Sequence, residues 1–397
     1  MSLVIKGGTT FLGERYQRKD LLLEGGRIAA IGNSLKGDKT LDAAGMLVLP
    51  GLIDPHVHLR EPGSTYKEDF NTGSRAAIAG GFTTVMDMPN NPIPTVTKGR
   101  LDEKIRLAKK KAICDVLFHF GGTDDNFEDV KLADPRSMKL YLGHTTGRLM
   151  LKKKSSLKKH FENFRKDRPI VLHACDHSMD EKENLKRTYE TMENAVSLAS
   201  RMGRRIHMAH ASTKKEITIS KRCMHCTVEV APHHLFLSTK DKARLGPFAM
   251  VYPPLRTEQK RLMLWSGLQL ADCIATDHAP HTIEDKEQGA AGFPGLETSL
   301  ALMLTACRRG LLDKIWVAQR MTRNPAEIFS IRRKGELKKG YTADIAIIDP
   351  KKTWKVDGSR LETKCRWSPF DGMELTGKVH TTIKSGKILY HSYQMLV

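Results

Sequence analysis

The sequence predicts an α/β fold: a TIM (β/α)8 barrel with a small β-sandwich domain formed from both termini. Three observations carry that expectation. Short apolar runs alternate with longer helical stretches through residues 50–342, which implies a parallel sheet too long for most open forms. Polar residues sit at or just after the ends of those runs, where barrel strands deliver chemistry to a common mouth. Both ends of the chain read instead as short strands broken by glycine turns.

In chain order, the first terminal segment (1–49) offers strands at Ser2–Lys6, Asp20–Leu23, Ile28–Ile31 and Met46–Val48, punctuated by Gly-Gly pairs and Gly32-Asn33. The barrel segment then gives apolar runs at Thr83–Met88, Ile170–His173, Ile206–His210, Thr227–Val230 and Cys273–Thr276. Helical spacing marks Gly73–Ala79, Leu101–Ala112, Asp180–Met202, Glu258–Leu268 and Leu296–Arg309. The last segment (343–397) returns to strands at Asp344–Ile348, Gly377–Ile383 and Lys387–Tyr390. No internal repeat or low-complexity stretch interrupts this plan.

Composition narrows the function classes. At 397 residues with 40% hydrophobic content, the chain can bury a large core, and no stretch approaches the roughly 20 apolar residues of a membrane span. The amino terminus lacks the plan of a secretory signal, and 7 scattered cysteines do not form a disulfide framework. A cytoplasmic protein is the expectation. The net charge of +20 is concentrated in Lys98–Lys111 and Lys152–Arg168, both with helical apolar spacing. These read as solvated outer helix faces. Aromatics are only 6% and none interleave with the basic runs, so nucleic acid is not expected as a partner.

The chemistry begins at Asp54-Pro55-His56-Val57-His58. On a strand, His-x-His points both imidazoles to one side, and two neutral imidazoles make half a zinc site. Two hydrogen-bonded core histidines are the plainer alternative. His173 follows another apolar run and His210 a third. His207 lies three residues before His210, and strand alternation lets only one of the two face inward. Asp277 ends a buried-looking run, where a metal on one side and a proton-transfer task on the other would explain the charge. Lys139, within Met138–Leu142, is a lysine in a buried-looking strand. If its amine adds carbon dioxide, the carbamate provides two oxygens able to bridge two metals. Four histidines plus Asp277 leave a pair of metals one ligand short, which favours the carbamate.

Several blocks then fall in order along nearly the whole chain: DPHVHLREPG (54–63), MPNNPIP (88–94), IHMAHASTKKE (206–216), VEVAPHHLFL (228–237), ATDHAPHT (275–282), GFPGLET (292–298), TRNPAEIF (322–329) and RWSPFDGMELTGKV (366–379). In these the chain resembles the dihydroorotase branch of the amidohydrolases, and KLYL at Lys139 is most similar to members with a carboxylated lysine. The resemblance implies hydrolysis of the ring amide of dihydroorotate, reversibly, to N-carbamoyl-aspartate. It implies His56, His58 and Asp277 on one Zn2+ (or another divalent metal), His173 and His210 on a second, and carboxylated Lys139 bridging both. Asp277 would shuttle the proton of an acidified water, and His207 would be a structural neighbour. Arg60, two residues beyond His58 and on the same side if the strand continues, would clamp the substrate carboxylate. Asn90 and His281 would complete that pocket, and the backbone around Gly292 and Gly295 would meet the ring's imide edge. Thr145 or Thr146 would close over the substrate.

One position departs from the branch: Tyr252 stands before Pro253-Pro254-Leu255-Arg256, where the resemblance leads one to expect Asn. Cys223-Met224-His225-Cys226 has zinc-knuckle spacing without a second pair and reads as structural. The remaining alternatives are an allantoinase or hydantoinase, whose substrates lack the carboxylate that Arg60 would read, and an inactive barrel supporting an aspartate carbamoyltransferase. A homo-oligomer or that transferase are the macromolecular partners the resemblance admits.

Overall fold

The structure, a computed structural model, describes residues 1–143, 149–176 and 180–396. The expected threonines Thr145 and Thr146 lie outside the described residues. Eight parallel strands form one sheet: β1 (Leu52–Val57), β2 (Phe82–Asp87), β3 (Asp115–Gly121), β4 (Ser137–Tyr141), β5 (Ile170–His173), β6 (Ile206–Met208), β7 (Cys226–Val230) and β8 (Cys273–Ile274), each paired with the next. At least one helix follows every strand, as right-handed βα crossovers require.

Closure between β8 and β1 uses side chains as well as backbone. His58 N–H donates to the His278 carbonyl at 2.7 Å. Asp54 accepts from Thr276 Oγ1 at 2.5 Å and from Thr276 N–H at 3.2 Å, so one carboxyl staples the first strand to the last. Burial pushes the Asp54 carboxyl up to about 7, against the pull of those hydrogen bonds.

Strand alternation divides the core. Phe82, Val85, Phe118, Phe120, Met138, Leu140, Ile170, Leu172, Val228 and Val230 face the helices in one cluster. Ile53, Met86, Val171 and Cys273 fill the barrel interior, plugged from below by Phe329. Burial of these inner residues leaves the upper mouth to polar side chains.

Among the described residues, every strand outside the barrel lies between Leu3 and Pro50 or between Ile345 and Met395. Leu47–Pro50 pairs antiparallel with Ile345–Lys355, which joins the two chain ends in a seven-stranded sheet. A four-stranded sheet packs on it through Ile5, Leu21, Ile28, Val48, Ile345 and Ile383. The sandwich therefore contains Thr9–Phe11 and the edge strands Tyr16–Arg18, Lys39–Asp42 and Gln394–Met395, short strands that apolar patterning did not mark.

The basic runs form helices at Lys98–Lys111 and Lys154–Asn163, but the first is not a purely solvated face. Lys104 is fully buried, with Nζ 2.6 Å from Asp87 Oδ2, 2.8 Å from the Met88 carbonyl and 2.7 Å from Asn91 Oδ1. It ties the helix to the end of β2, and Asp87 in turn accepts from Leu59 N–H at 2.7 Å. Burial raises the Asp87 pKa and lowers that of Lys104, while their mutual attraction opposes both shifts.

Candidate active site

The mouth of the barrel collects one cavity lined by His56, His58, Arg60, Asn90, Lys139 and His173, and on its other side by His210, Tyr252, Asp277 and Gly292. Six strand ends, widely separated in sequence, supply eight of these groups, and longer loops bring in Tyr252 and Gly292.

His56 and His58 lean towards Asp277 through Nε2, at 3.3 Å and 3.2 Å from its Oδ1. Each ring is fixed from behind. His56 Nδ1 is hydrogen-bonded to Glu229 Oε1, and His58 Nδ1 to Asn90 Oδ1 at 2.8 Å. With Nδ1–H committed on each ring, Nε2 carries a lone pair, and both lone pairs face a carboxylate oxygen. Three electron-pair donors that face one another repel unless a cation or proton lies between them. That donor set fits a divalent metal ion, and the three atoms lie within 4.8 Å of one another.

The electrostatics agree with neutral imidazoles and an ionised acid. Burial pushes His58 down to about 4. Burial, then the neighbouring His173, holds His210 well below its usual range. Burial raises the Asp277 carboxyl, and only positive charge on the side of His56, His58 and His210 would hold it well below its ordinary value, a charge that a cation among them would supply while the imidazoles stay neutral.

Deeper in the mouth, His173 Nδ1 meets His210 Nε2 at 2.8 Å, and the His210 ring lies 5.3 Å from that of His56. His210 Nδ1 and Lys139 Nζ are buried without a hydrogen-bond partner among the described residues. Lys139 sits on β4, 1% exposed, with its amine over the Tyr141 ring. Burial pushes its ammonium down to about 8, only partly opposed by Glu229 and Asp277. A buried amine that loses its proton so readily is a nucleophile.

Glu229 on β7 is the residue that sequence reasoning missed. One oxygen accepts from His56 Nδ1 and from His210 N–H at 3.1 Å, and the other from His207 Nε2 at 3.0 Å. Burial opposes its ionisation, yet His56 and His207 hold it well below the carboxylate range. The signal was present: an acid flanked by Val228 and Val230 at an inward strand position. With Cys273 and His207 it also forms a second close donor group lower in the barrel, but both of its oxygens already accept from histidines.

His207 and His210 both point into the barrel, contrary to strand alternation. The strand stops at Met208, and the positive φ of 36° at His210 turns its ring back into the mouth. Arg60 likewise reaches the cavity by a turn rather than by a continued strand: β1 ends at Val57 and Arg60 has φ 62°. Its Nε donates to the Pro280 carbonyl at 3.0 Å, and Nη2 lies 2.9 Å from His281 Nε2. Lys67 Nζ donates to His281 Nδ1 at 3.1 Å, so the ring proton sits on Nε2 beside the guanidinium. Burial and then Arg60, Lys67 and Lys286 press His281 down to about 2, which keeps it neutral. Arg60, pushed down by burial to about 10, stays charged at neutral pH.

Gly292 lines the cavity with φ 146°, and a Cβ there would stand 2.3 Å from the Ala279 carbonyl oxygen. Its N–H already donates to Met250. Gly295 is not on the cavity wall, because its N–H is drawn to His278 Nδ1 at 3.1 Å. Ala291 and Val251 take the wall positions instead. Tyr252, the departure noted in the sequence, faces the same cavity.

Comparison with known proteins agrees with this architecture. Residues 47–389 match the amidohydrolase family. The chain is 38% identical to the dihydroorotase of Pyrococcus abyssi, covering 100% of this chain and 96% of that protein. It is 36% identical to the Thermococcus kodakarensis dihydroorotase over 94% and 91% of the two chains. A match of 37% identity links 89% of this chain to 15% of the multifunctional protein CAD of Squalus acanthias. Among solved structures, the L-hydantoinase of Arthrobacter aurescens superposes with a TM-score of 0.93 at 27% identity, covering 100% and 97% of the chains. Among the described residues, no helix is long and apolar enough to cross a membrane.

Proposed function

Because the chain belongs to the amidohydrolase family and, within it, to the dihydroorotases, we propose that it catalyses the reversible hydrolysis of (S)-dihydroorotate to N-carbamoyl-L-aspartate in pyrimidine biosynthesis. The observation that carries this reading is the buried Arg60, which lines the cavity of the histidine–aspartate cluster and, with His281 at 2.9 Å from its Nη2, the adjoining cavity, where the pair would read a carboxylate.

His56, His58 and Asp277 would hold one divalent cation, zinc in this reading, His173 and His210 a second, and Lys139 would join both through its carbamate. When bound, the cations supply Lewis acidity towards an amide carbonyl and lower the pKa of a water from ~15.7 towards ~7. The carbamate forms when the neutral Lys139 amine adds to carbon dioxide and releases one proton. Burial, which depresses the ammonium to about 8, supports that addition near neutral pH.

The chain's own groups do the rest. Arg60 takes the ring carboxylate with its planar fork, and His281 would donate to the same anion by turning its Nε2–H away from the Ala291 carbonyl, which accepts it at 3.0 Å. Asn90 spends Oδ1 on His58 and has Nδ2 as its donor to the substrate. Asp277 accepts the proton of the attacking water and returns it to the departing ring nitrogen. In ring closure the same carboxylate works in reverse. Glu229 and Asn90 orient His56 and His58 while leaving both Nε2 atoms to the reaction centre.

For a macromolecular partner we propose an aspartate carbamoyltransferase or a second copy of this chain; the match of 89% of the chain to 15% of a multifunctional protein supports membership of a larger assembly. The test is hydrolysis of dihydroorotate by zinc-loaded protein beside Lys139→Ala and Arg60→Ala. We expect turnover by the parent and loss in both variants. A parent that binds two metals and leaves dihydroorotate intact would move the assignment to a hydantoinase or allantoinase. A parent that binds no metal would point to the inactive scaffold.

A further inference from the structure

Lys286 lies in the short helix Ile283–Glu287, beyond His281, and is 0% exposed. A buried lysine ordinarily meets a carboxylate. Among the described residues Lys286 has no ion pair. Its Nζ donates instead to three backbone carbonyls: Met250 at 2.6 Å, Ala290 at 2.7 Å and Gly292 at 3.2 Å. The rings of Phe293 and Trp367 cover it, with centroids 5.4 Å and 5.5 Å from the nitrogen. Three acceptors match the three N–H groups of an ammonium; a neutral amine has only two.

The carbonyls belong to two separate stretches of chain, and both border the cavity. Met250 precedes Val251 and Tyr252, which line one side. Ala290 and Gly292 flank Ala291, which lines the other and whose carbonyl accepts from His281 Nε2 at 3.0 Å. Gly292 N–H also donates to the Met250 carbonyl at 3.0 Å and links the same two stretches through the backbone.

We infer that Lys286 is a positioning residue that clips residues 250–252 to residues 290–292, and so sets the width of the substrate cavity and the perch of His281. The inference rests on the proposed reaction for its kinetic consequence and on geometry alone for its structural one. Lys286 does not itself line the cavity and meets its wall only from behind, at the Gly292 carbonyl, so its removal loosens substrate binding without emptying the metal site.

The experiment uses the full metal-loaded chain with Lys286→Met, which keeps the length without donors, and Lys286→Gln, which keeps two N–H groups. KM for dihydroorotate is expected to rise about tenfold in Lys286→Met and less in Lys286→Gln, with kcat within about threefold and metal content unchanged. Amide hydrogen exchange, which needs no substrate, is expected to quicken at 250–252 and 290–292 together while the barrel strands stay protected. Unchanged exchange in either stretch overturns the inference. So does an unchanged KM at full metal content, or an unfolded chain in both variants, which would make Lys286 a residue of the core. If the parent does not hydrolyse dihydroorotate, the functional assignment fails and the exchange result alone decides on Lys286.

Discussion

Glu229 lies directly beneath His56: its Oε1 accepts from His56 Nδ1, while its Oε2 accepts from His207 Nε2 at 3.0 Å. Through one carboxylate the floor of the barrel fixes the tautomer of a mouth histidine, and the backbone N–H of His210 joins the same oxygen at 3.1 Å. Replacing Glu229 with Gln keeps the shape and removes the charge. We expect metal affinity to fall about 10–100-fold with a parallel loss of activity. Metal titration against a competing chelator measures this, and an unaltered affinity would show that Glu229 is only packing.

Arg60 supplies a bidentate fork that Lys does not reproduce. Arg60→Lys should therefore resemble Arg60→Ala more than the parent, with kcat/KM for dihydroorotate lower by about 2–3 kcal/mol of transition-state stabilisation. Steady-state kinetics on both variants check it. Near-parental kinetics in Arg60→Lys would mean that a point charge suffices.

Asp277→Asn retains the size of the side chain and forfeits its basicity. A drop in kcat of about 10²–10⁴-fold is expected for the loss of the proton acceptor. Circular dichroism and thermal melting should stay close to the parent, which separates lost chemistry from lost structure.

The buried pair Lys104–Asp87, at 2.6 Å, anchors a basic helix to the end of β2. Lys104→Met leaves Asp87 buried without its cation and should cost about 3–5 kcal/mol of stability. Denaturant unfolding reads this directly. A cost below about 1 kcal/mol would place Lys104 with the ordinary surface lysines of its helix.

Glu297 carries a pH signature away from the barrel mouth. Burial raises its carboxyl to about 8, although the N–H groups of Glu362 and Thr363 pull it down. The folded state therefore holds this proton more tightly than the unfolded chain, whose value is near 4.5. Its contribution is complete below pH 4.5 and is lost as pH rises towards 8. Glu297→Gln removes the titration and keeps one of the two accepting oxygens, so the lost second acceptor adds an offset that does not vary with pH. The stability of the variant relative to the parent should grow by about 3–4 kcal/mol between pH 5 and pH 8. A difference that stays flat across that range would refute the assignment.

Much of this architecture was legible because its signals are local. His56-x-His58 on a strand, a lysine amid Met138 and Leu140, and Asp277 after an apolar run each break the ordinary burial pattern, and the fold brings all four to one cavity. The less legible features depend on turns and on distant partners. Alternation excluded one of His207 and His210, because nothing in the sequence announces the φ of 36° at His210. Arg60 was reached through an assumed strand that ends at Val57, and its pairing with His281 closes over 221 positions of sequence. Gly295 was placed on the wall by its neighbours, whereas its N–H is spent on His278. Lys104 and Lys286 look like surface lysines in any window of sequence. Only the fold supplies the Asp87 carboxylate and the three carbonyls that bury them.

The most direct measurement is the ratio of kcat/KM for dihydroorotate to that for hydantoin, taken on the zinc-loaded parent and on Arg60→Ala. The account predicts a ratio far above one in the parent that falls by about 10²-fold in the variant, because only dihydroorotate presents a ring carboxylate to Arg60. A parent that prefers hydantoin, or a ratio that Arg60→Ala leaves untouched, would contradict it.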